Sequence, residues 1–278
     1  MATQLIHDDT SNAAPDTIVL IHGLWMTPRS WQAWVAFYEA RGYRVLTPTY
    51  PGMEGEVEAL REDASPIAAL SVQKVVDHLD AYVRALPSQP ILIGHSFGGT
   101  LVQLLLDRGL GAAGVAIDSA PVRGVYPIPF SQVRSTFPVL HNPWNVSRAV
   151  PFTHEQFHYA FTNTLSDEES RAAYERYAVA APGRILFEGA SINIDWNTAA
   201  QVDFRKADRA PLFFIAGEHD HIMPPSVNLA NARAYESGVV AYQEMPGRDH
   251  YIVGEKGWEE VAGLALGWAR APEAMGLA

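Results

Sequence analysis

Two rhythms alternate along the chain. Short runs that are apolar throughout, first residues 17–21 (TIVLI), give way to longer stretches whose apolar positions recur every three or four residues. A brief β-branched or aliphatic run suits a strand covered on both faces, and the 3.6-residue period suits a helix with one buried side. Strands are expected at 17–21, 43–48, 91–94, 114–118, 212–216 and 239–245. Between them, Pro28 opens a helix with Trp31, Trp34, Val35 and Tyr38 on one face, ended by Gly42. Ser65 and Pro66 form a cap and first-turn pair for a helix carrying Val72, Val75, Val76, Leu79, Tyr82, Val83 and Leu86, stopped at Pro87. Further helices are expected over 97–108 and near the end of the chain, where Trp258, Val261, Leu264 and Trp268 keep helical spacing. Strands separated by helices predict an α/β protein with a mostly parallel, doubly wound sheet, because parallel neighbours need crossover helices on both faces.

Between Ala120 and Ala210 the alternation stops, and the chain turns helical and aromatic, from Phe130 to Trp196. Two capping boxes, Thr153 with Gln156 and Ser166 with Glu169, mark helix starts there. Residues 121–205 therefore read as an inserted helical cap, and 1–120 with 206–278 as the core. Most of the cap's aromatic residues are expected to form its own core, with a few facing the site.

Composition narrows the function classes. With 48% hydrophobic and 18% charged residues in 278, the chain has the make-up of a compact globule. Its 20 basic and 31 acidic residues leave a net charge of −11, which argues against nucleic acid and anionic membrane as partners. The absence of cysteine excludes disulfides, thiolate metal sites and a cysteine nucleophile. The first ten residues, MATQLIHDDT, carry acids where an export signal needs a basic start, and no apolar run approaches the ~20 residues of a membrane span. The sequence is read as cytoplasmic, without a membrane span.

The chemistry gathers at strand ends. Gly94-His95-Ser96-Phe97-Gly98 follows one expected strand and opens a helix, the context of a G-x-S-x-G nucleophile elbow. Ser96 projects from a strained turn whose neighbours must lack bulk. A serine needs a base, and the base a carboxylate to orient it, in the chain order Ser, acid, His. Asp220 follows the strand at 212–216 in GEHDHIMPP, and His250 follows the last strand in GRDH. Both lie where open α/β sheets bind ligands.

These motifs, spread over nearly the whole chain outside the cap, resemble the α/β-hydrolase superfamily in its cap-bearing esterase and lactonase-like branch. The resemblance implies Ser96 as nucleophile, Asp220 as acid and His250 as base. His22-Gly23-Leu24-Trp25 is similar to the family's oxyanion loop, which implies the backbone N–H groups of Leu24 and Phe97 as the oxyanion hole. Trp25, following that loop, is read as a pocket wall. The sequence departs from the family at its start, where only residues 3–7 are available for an early strand.

Asp118, ending the fourth expected strand, is the alternative triad acid and otherwise a polar residue at the pocket floor. His219, Asp220 and His221 are not read as metal ligands, since successive residues of an extended segment point to opposite sides. His22 and His95 are expected to be hydrogen-bonded scaffold residues. The activity implied is hydrolysis of a hydrophobic small-molecule ester or lactone through an acyl-enzyme, with no cofactor. Serine-triad relatives that cleave C–C bonds, release cyanide from hydroxynitriles, form peracids or transfer acyl groups share this constellation, as do triad-bearing ligand receptors.

Overall fold

The computed structural model describes residues 15–272; the expected early strand at 3–7 lies outside them. The chain begins with β1 (Thr17–Ile21), α1 (Gln32–Glu39) and β2 (Arg44–Leu46). It continues through α2 (Val57–Glu62), α3 (Ser65–Ala68) and α4 (Val72–Arg84) to β3 (Ile91–His95), α5 (Phe97–Asp107) and β4 (Ala113–Ile117). A long excursion follows: α6 (Phe130–Leu140), β5 (Ala149–Val150), α7 (His154–Phe161), α8 (Asp167–Tyr177), β6 (Ala181–Pro182) and α9 (Gly183–Ala190). The chain then returns through β7 (Leu212–Gly217), α10 (Pro225–Ala234), β8 (Val240–Met245) and α11 (Trp258–Arg270).

Six strands form one sheet in the order β2-β1-β3-β4-β7-β8, every pair parallel. Side chains alternate between the two faces, and both faces are apolar. Val19, Ile21, Leu92, Leu212 and Phe214 enter one core, beneath α4 and α5; Ile18, Leu20, Ile91, Phe213 and Ile215 enter the other, with Trp31, Trp34 and Tyr38 against Val261, Ala265 and Trp268 of α11. The Trp34 indole N–H donates to Val253 O and the Tyr38 hydroxyl to Ala262 O, so these buried aromatics carry their polar atoms to carbonyls. The architecture is the expected doubly wound α/β sheet. Among the described residues no helix is long and apolar enough to cross a membrane.

The helix expected from Ser65 to Leu86 is two helices. Ser65 and Pro66 open only the four-residue α3. Ser71 then takes an extended conformation, and its side chain accepts from Lys74 N–H, so Ser71 is the N-cap of α4. The apolar spacing from Val72 onward belongs to that second helix. α10 was not anticipated: it opens on Pro224-Pro225, and its Ala- and Asn-rich sequence offers no apolar period.

In the excursion, both expected capping boxes close in both directions, Thr153 with Gln156 and Ser166 with Glu169. β5 and β6 add a short antiparallel pair, Ala149 opposite Pro182.

Candidate active site

Ser96 sits where β3 meets α5, with φ 58° and ψ −121°, a left-handed conformation forced on a non-glycine residue. Its N–H donates to Ile117 O, and its carbonyl accepts from Gly99 and Ala120 N–H. Three backbone bonds thus hold the turn, and the Ser96 side chain is not spent on capping the helix. The turn tolerates no bulk. A Cβ at Gly94 would come within 2.1 Å of Gly98 O, and one at Gly98 within 2.1 Å of Ile21 O. β1 and β3 therefore pass against the first turn of α5, and the loop after β1 runs beside Ser96.

That loop holds His22, Gly23, Leu24 and Trp25. Leu24 N–H donates to no other described residue, and Phe97, as the first residue of α5, has no carbonyl four residues earlier within its helix. Both amides flank Ser96 in sequence or in space, since a Cβ on Gly23 would lie 2.8 Å from Ser96 Cβ.

Asp220 and His250 meet across 30 residues. His250 Nδ1 lies 2.6 Å from Asp220 Oδ2, both side chains fully buried. Asp220 Oδ1 accepts from the N–H groups of Ile222 and Met223, which fixes the carboxylate. The carboxylate accepts a hydrogen bond from Nδ1–H, which leaves the lone pair of the neutral imidazole on Nε2. Nε2 is buried without a hydrogen-bond partner, and no hydrogen bond links it to Ser96 among the described residues. The structure therefore brings Asp220 and His250 into contact and places Ser96 at the same sheet edge, unpaired.

The His250 ring is boxed in by its neighbours. The His95 ring stands 4.6 Å away and donates from Nε2 to His250 O, so the backbone carrying the imidazole is tied to β3. Burial, and then the nearby His250, hold His95 well below the ordinary histidine range. On the other side the edge of Phe161 meets the ring at 4.6 Å. His22 bonds Gly23 O through Nδ1, stacks on Tyr50 and is lowered by burial to about 4. Each scaffold histidine is held by one hydrogen bond, and His22 Nε2 is left buried without a partner.

Asp118 is fully buried with φ 44°. Its Oδ1 accepts Gly217 N–H at 2.7 Å, joining the ends of β4 and β7, and its Oδ2 has no partner. Burial first, then the neighbouring Asp220 carboxylate, push its carboxyl well above the usual range. One atom each of His95, Asp118 and His250 lies within 4.8 Å of the others, but His95 Nε2 and Asp118 Oδ1 are already bonded to protein. Of the GEHDHIMPP residues, His219 is exposed and His221 bonds Tyr159 O, so the three successive side chains diverge.

Trp25 is buried with φ 61°. Its ring stacks on Phe152 at 4.1 Å and meets Phe161 edge-on at 6.1 Å, while Nε1 donates to Val150 O. Trp25, Phe161 and His250 thus form one aromatic wall, built half from the core and half from the excursion. Thr164 adds a second tie there, giving both its N–H and its hydroxyl to Asp249 Oδ2 beside His250. Sequence reasoning gave Phe161 and Thr164 no role; no local motif marks them.

The comparisons agree with this architecture. A model of the alpha/beta hydrolase family matches residues 18–264, and the chain belongs to that family. No curated protein matches the chain. Among solved structures, a pyrethroid hydrolase from Sphingobium faniae JZ-2 aligns with a TM-score of 0.67 at 20% identity, over 93% of this chain and 99% of that one. A Paleococcus ferrophilus monoacylglycerol lipase aligns with a TM-score of 0.62 at 18% identity, over 93% and 96% of the chains. An extracellular alpha/beta-hydrolase from a Paenibacillus species, described as sharing structural and functional homology with tobacco salicylic acid binding protein 2, aligns at 0.65 and 20%, over 92% and 100%. At these identities the likeness is one of fold.

Proposed function

We propose that the protein is a serine hydrolase that cleaves a carboxylic ester or lactone of a hydrophobic small molecule. The observation that carries this reading is the buried 2.6 Å contact between His250 Nδ1 and Asp220 Oδ2, which leaves His250 Nε2 unpartnered at the sheet edge that presents Ser96. In the reaction, Ser96 Oγ attacks the carbonyl carbon and its proton passes to Nε2. The oxyanion accepts hydrogen bonds from the Leu24 and Phe97 N–H groups. Nε2–H protonates the departing alkoxide and leaves the acyl group on Ser96. Water, deprotonated by the same nitrogen, releases the acid and restores the hydroxyl.

In this reading residues 121–205 act as a cap over a core formed by 1–120 and 206–278. The wall of Trp25 and Phe161 supports an apolar substrate, since it offers no charge to a polar one. The pyrethroid hydrolase and the lipase among the similar structures support the same substrate class. Steady-state hydrolysis of a short-chain chromogenic ester by the wild type and by Ser96→Ala, prepared side by side, tests it. Turnover lost with Ser96 supports the serine mechanism and justifies a series of lactones and longer esters. A wild type with no turnover on any of them overturns it.

A further inference from the structure

Among the described residues, every large hydrophobic side chain that stands exposed lies between Tyr126 and Trp196. The densest part is the stretch with Tyr126, Ile128, Phe130, Val133, Phe137 and Trp144, with relative exposures from 44% to 79%. On α6 the spacing of Phe130, Val133 and Phe137 puts them on one side of the helix. The buried side carries Ser135 and Val139, and the Ser135 hydroxyl donates to His221 O in the loop that bears Asp220. An outward apolar stripe thus backs onto the site. Single exposed apolar side chains are ordinary, but a row of them along one side of a helix points to something that covers it.

The same stretch departs from the rest of the chain in charge. From Ser119 to His154 there is no aspartate or glutamate, although the whole sequence has 31. Its charged residues are Arg123, Arg134 and Arg148. Arg134 lies over the Tyr159 ring and Arg123 over the Trp196 ring, which holds both guanidinium groups beside apolar surface. Asp195, next to Trp196, is a carboxylate at the margin. The net charge of −11 argues against an anionic membrane only if charge is spread evenly; beyond about 8 Å it is screened in physiological salt, and the local face decides.

We propose that the outer face of α6 and its flanks is a docking surface for a lipid–water interface carrying anionic headgroups. Aromatic and aliphatic side chains enter the headgroup boundary while the arginines meet phosphate, the pattern of helices that lie in an interface. A second copy of the chain is the poorer fit. A two-fold interface sets the same patch against itself, so two arginine-bearing faces would meet with only marginal carboxylates such as Asp195 to offset them. The proposal does not depend on the ester reading.

Co-sedimentation of the full-length protein with vesicles of phosphatidylcholine alone, and of phosphatidylcholine with phosphatidylglycerol, tests it. Wild type and Ser96→Ala are both expected to partition onto the anionic vesicles and much less onto the neutral ones. The pair Phe130→Ser with Phe137→Ser is expected to lower partitioning at least tenfold, and Arg134→Glu with Arg148→Glu to remove the preference for anionic vesicles. All four changed side chains are exposed, so melting temperatures should stay near wild type, which separates lost docking from lost folding. Wild type that stays in solution with anionic vesicles overturns the proposal, as does undiminished binding by either pair. A wild-type dimer on a sizing column that the phenylalanine pair dissociates would assign the face to a second copy instead, and also overturns it.

Discussion

His250 gives its Nδ1 side to Asp220 at 2.6 Å and leaves Nε2, fully enclosed, without any partner. An unpaired nitrogen in a buried site costs stability unless something occupies it, and in the proposed reaction that something is the proton of Ser96. Asp118 stands in the same pocket, yet its carboxyl is turned to Gly217 N–H.

The two aspartates should therefore separate by function. Asp220→Asn is expected to lower turnover of an ester by roughly 10⁴-fold, because an amide no longer fixes the imidazole with Nε2 as the base. Asp118→Asn keeps an oxygen for Gly217 N–H and removes a carboxyl whose charged form burial already disfavours, so turnover should stay close to the wild-type value. Steady-state kinetics of the two variants on one ester decide the matter, and the reverse ranking would make Asp118 the acid.

The serine turn predicts its own sensitivity. A methyl group at Gly98 would meet Ile21 O at 2.1 Å, and that oxygen belongs to a central strand with no room to retreat. Gly98→Ala should cost on the order of 1–3 kcal/mol by overpacking and displace Ser96 as well. Urea unfolding measures the first effect and turnover the second. A variant as stable and active as the wild type would show that β1 yields where the packing says it does not.

Glu255 predicts a pH dependence. Burial, and then the Asp249 carboxylate, raise its carboxyl to about 7; the Arg248 guanidinium at 3.4 Å only partly opposes this. The folded state then binds this proton more tightly than the unfolded chain, whose pKa is near 4.5. Stability is fully present below the unfolded value and is lost as pH rises toward 7. Glu255→Gln should remove that decline and raise stability at pH 8 by up to about 3 kcal/mol. Urea unfolding of both proteins at pH 5 and pH 8 checks the sign.

How much of this was legible in the sequence depends on whether the signal is local. TIVLI and LFFIAG are apolar at every position because each strand is covered on both faces, and that survives in one dimension. The elbow is readable because the strain at Ser96 admits only small neighbours at Gly94 and Gly98. Ser65 misled, because it and Ser71 both precede good helical spacing, and only the extended backbone at Ser71 decides which one caps the long helix. Phe161 was invisible as a neighbour of His250, since they are joined only when the excursion folds back over the sheet.

Trp25 should report how firmly that excursion is attached. Its ring lies flat on Phe152, and its indole N–H reaches Val150 O. Trp25→Ala is expected to cost about 3–5 kcal/mol through lost contacts and a cavity, and Trp25→Phe, which keeps the stacking and drops one hydrogen bond, about 1 kcal/mol. Denaturant midpoints of the two variants test this; equal losses would mean that the hydrogen bond and not the stacked ring holds the segment.

The second attachment runs through a carboxylate. Asp249 Oδ2 accepts both the N–H and the hydroxyl of Thr164, and Oδ1 accepts Tyr251 N–H, so the residue beside His250 is tied to the loop between α7 and α8. Burial raises the Asp249 carboxyl above its ordinary range, and Thr164 is the first of the groups that pull it back. Thr164→Val keeps the shape and the N–H but removes the hydroxyl from a buried acceptor, which should cost about 1–3 kcal/mol. The loss should be larger at pH 8 than at pH 5, because the ionised carboxylate needs that donor more than the protonated acid does. Because the tie adjoins His250, turnover should fall along with stability. Melting temperatures at the two pH values and ester kinetics on the same preparations check both effects; a stability cost with no change in turnover would show that the tie supports the segment and not the imidazole.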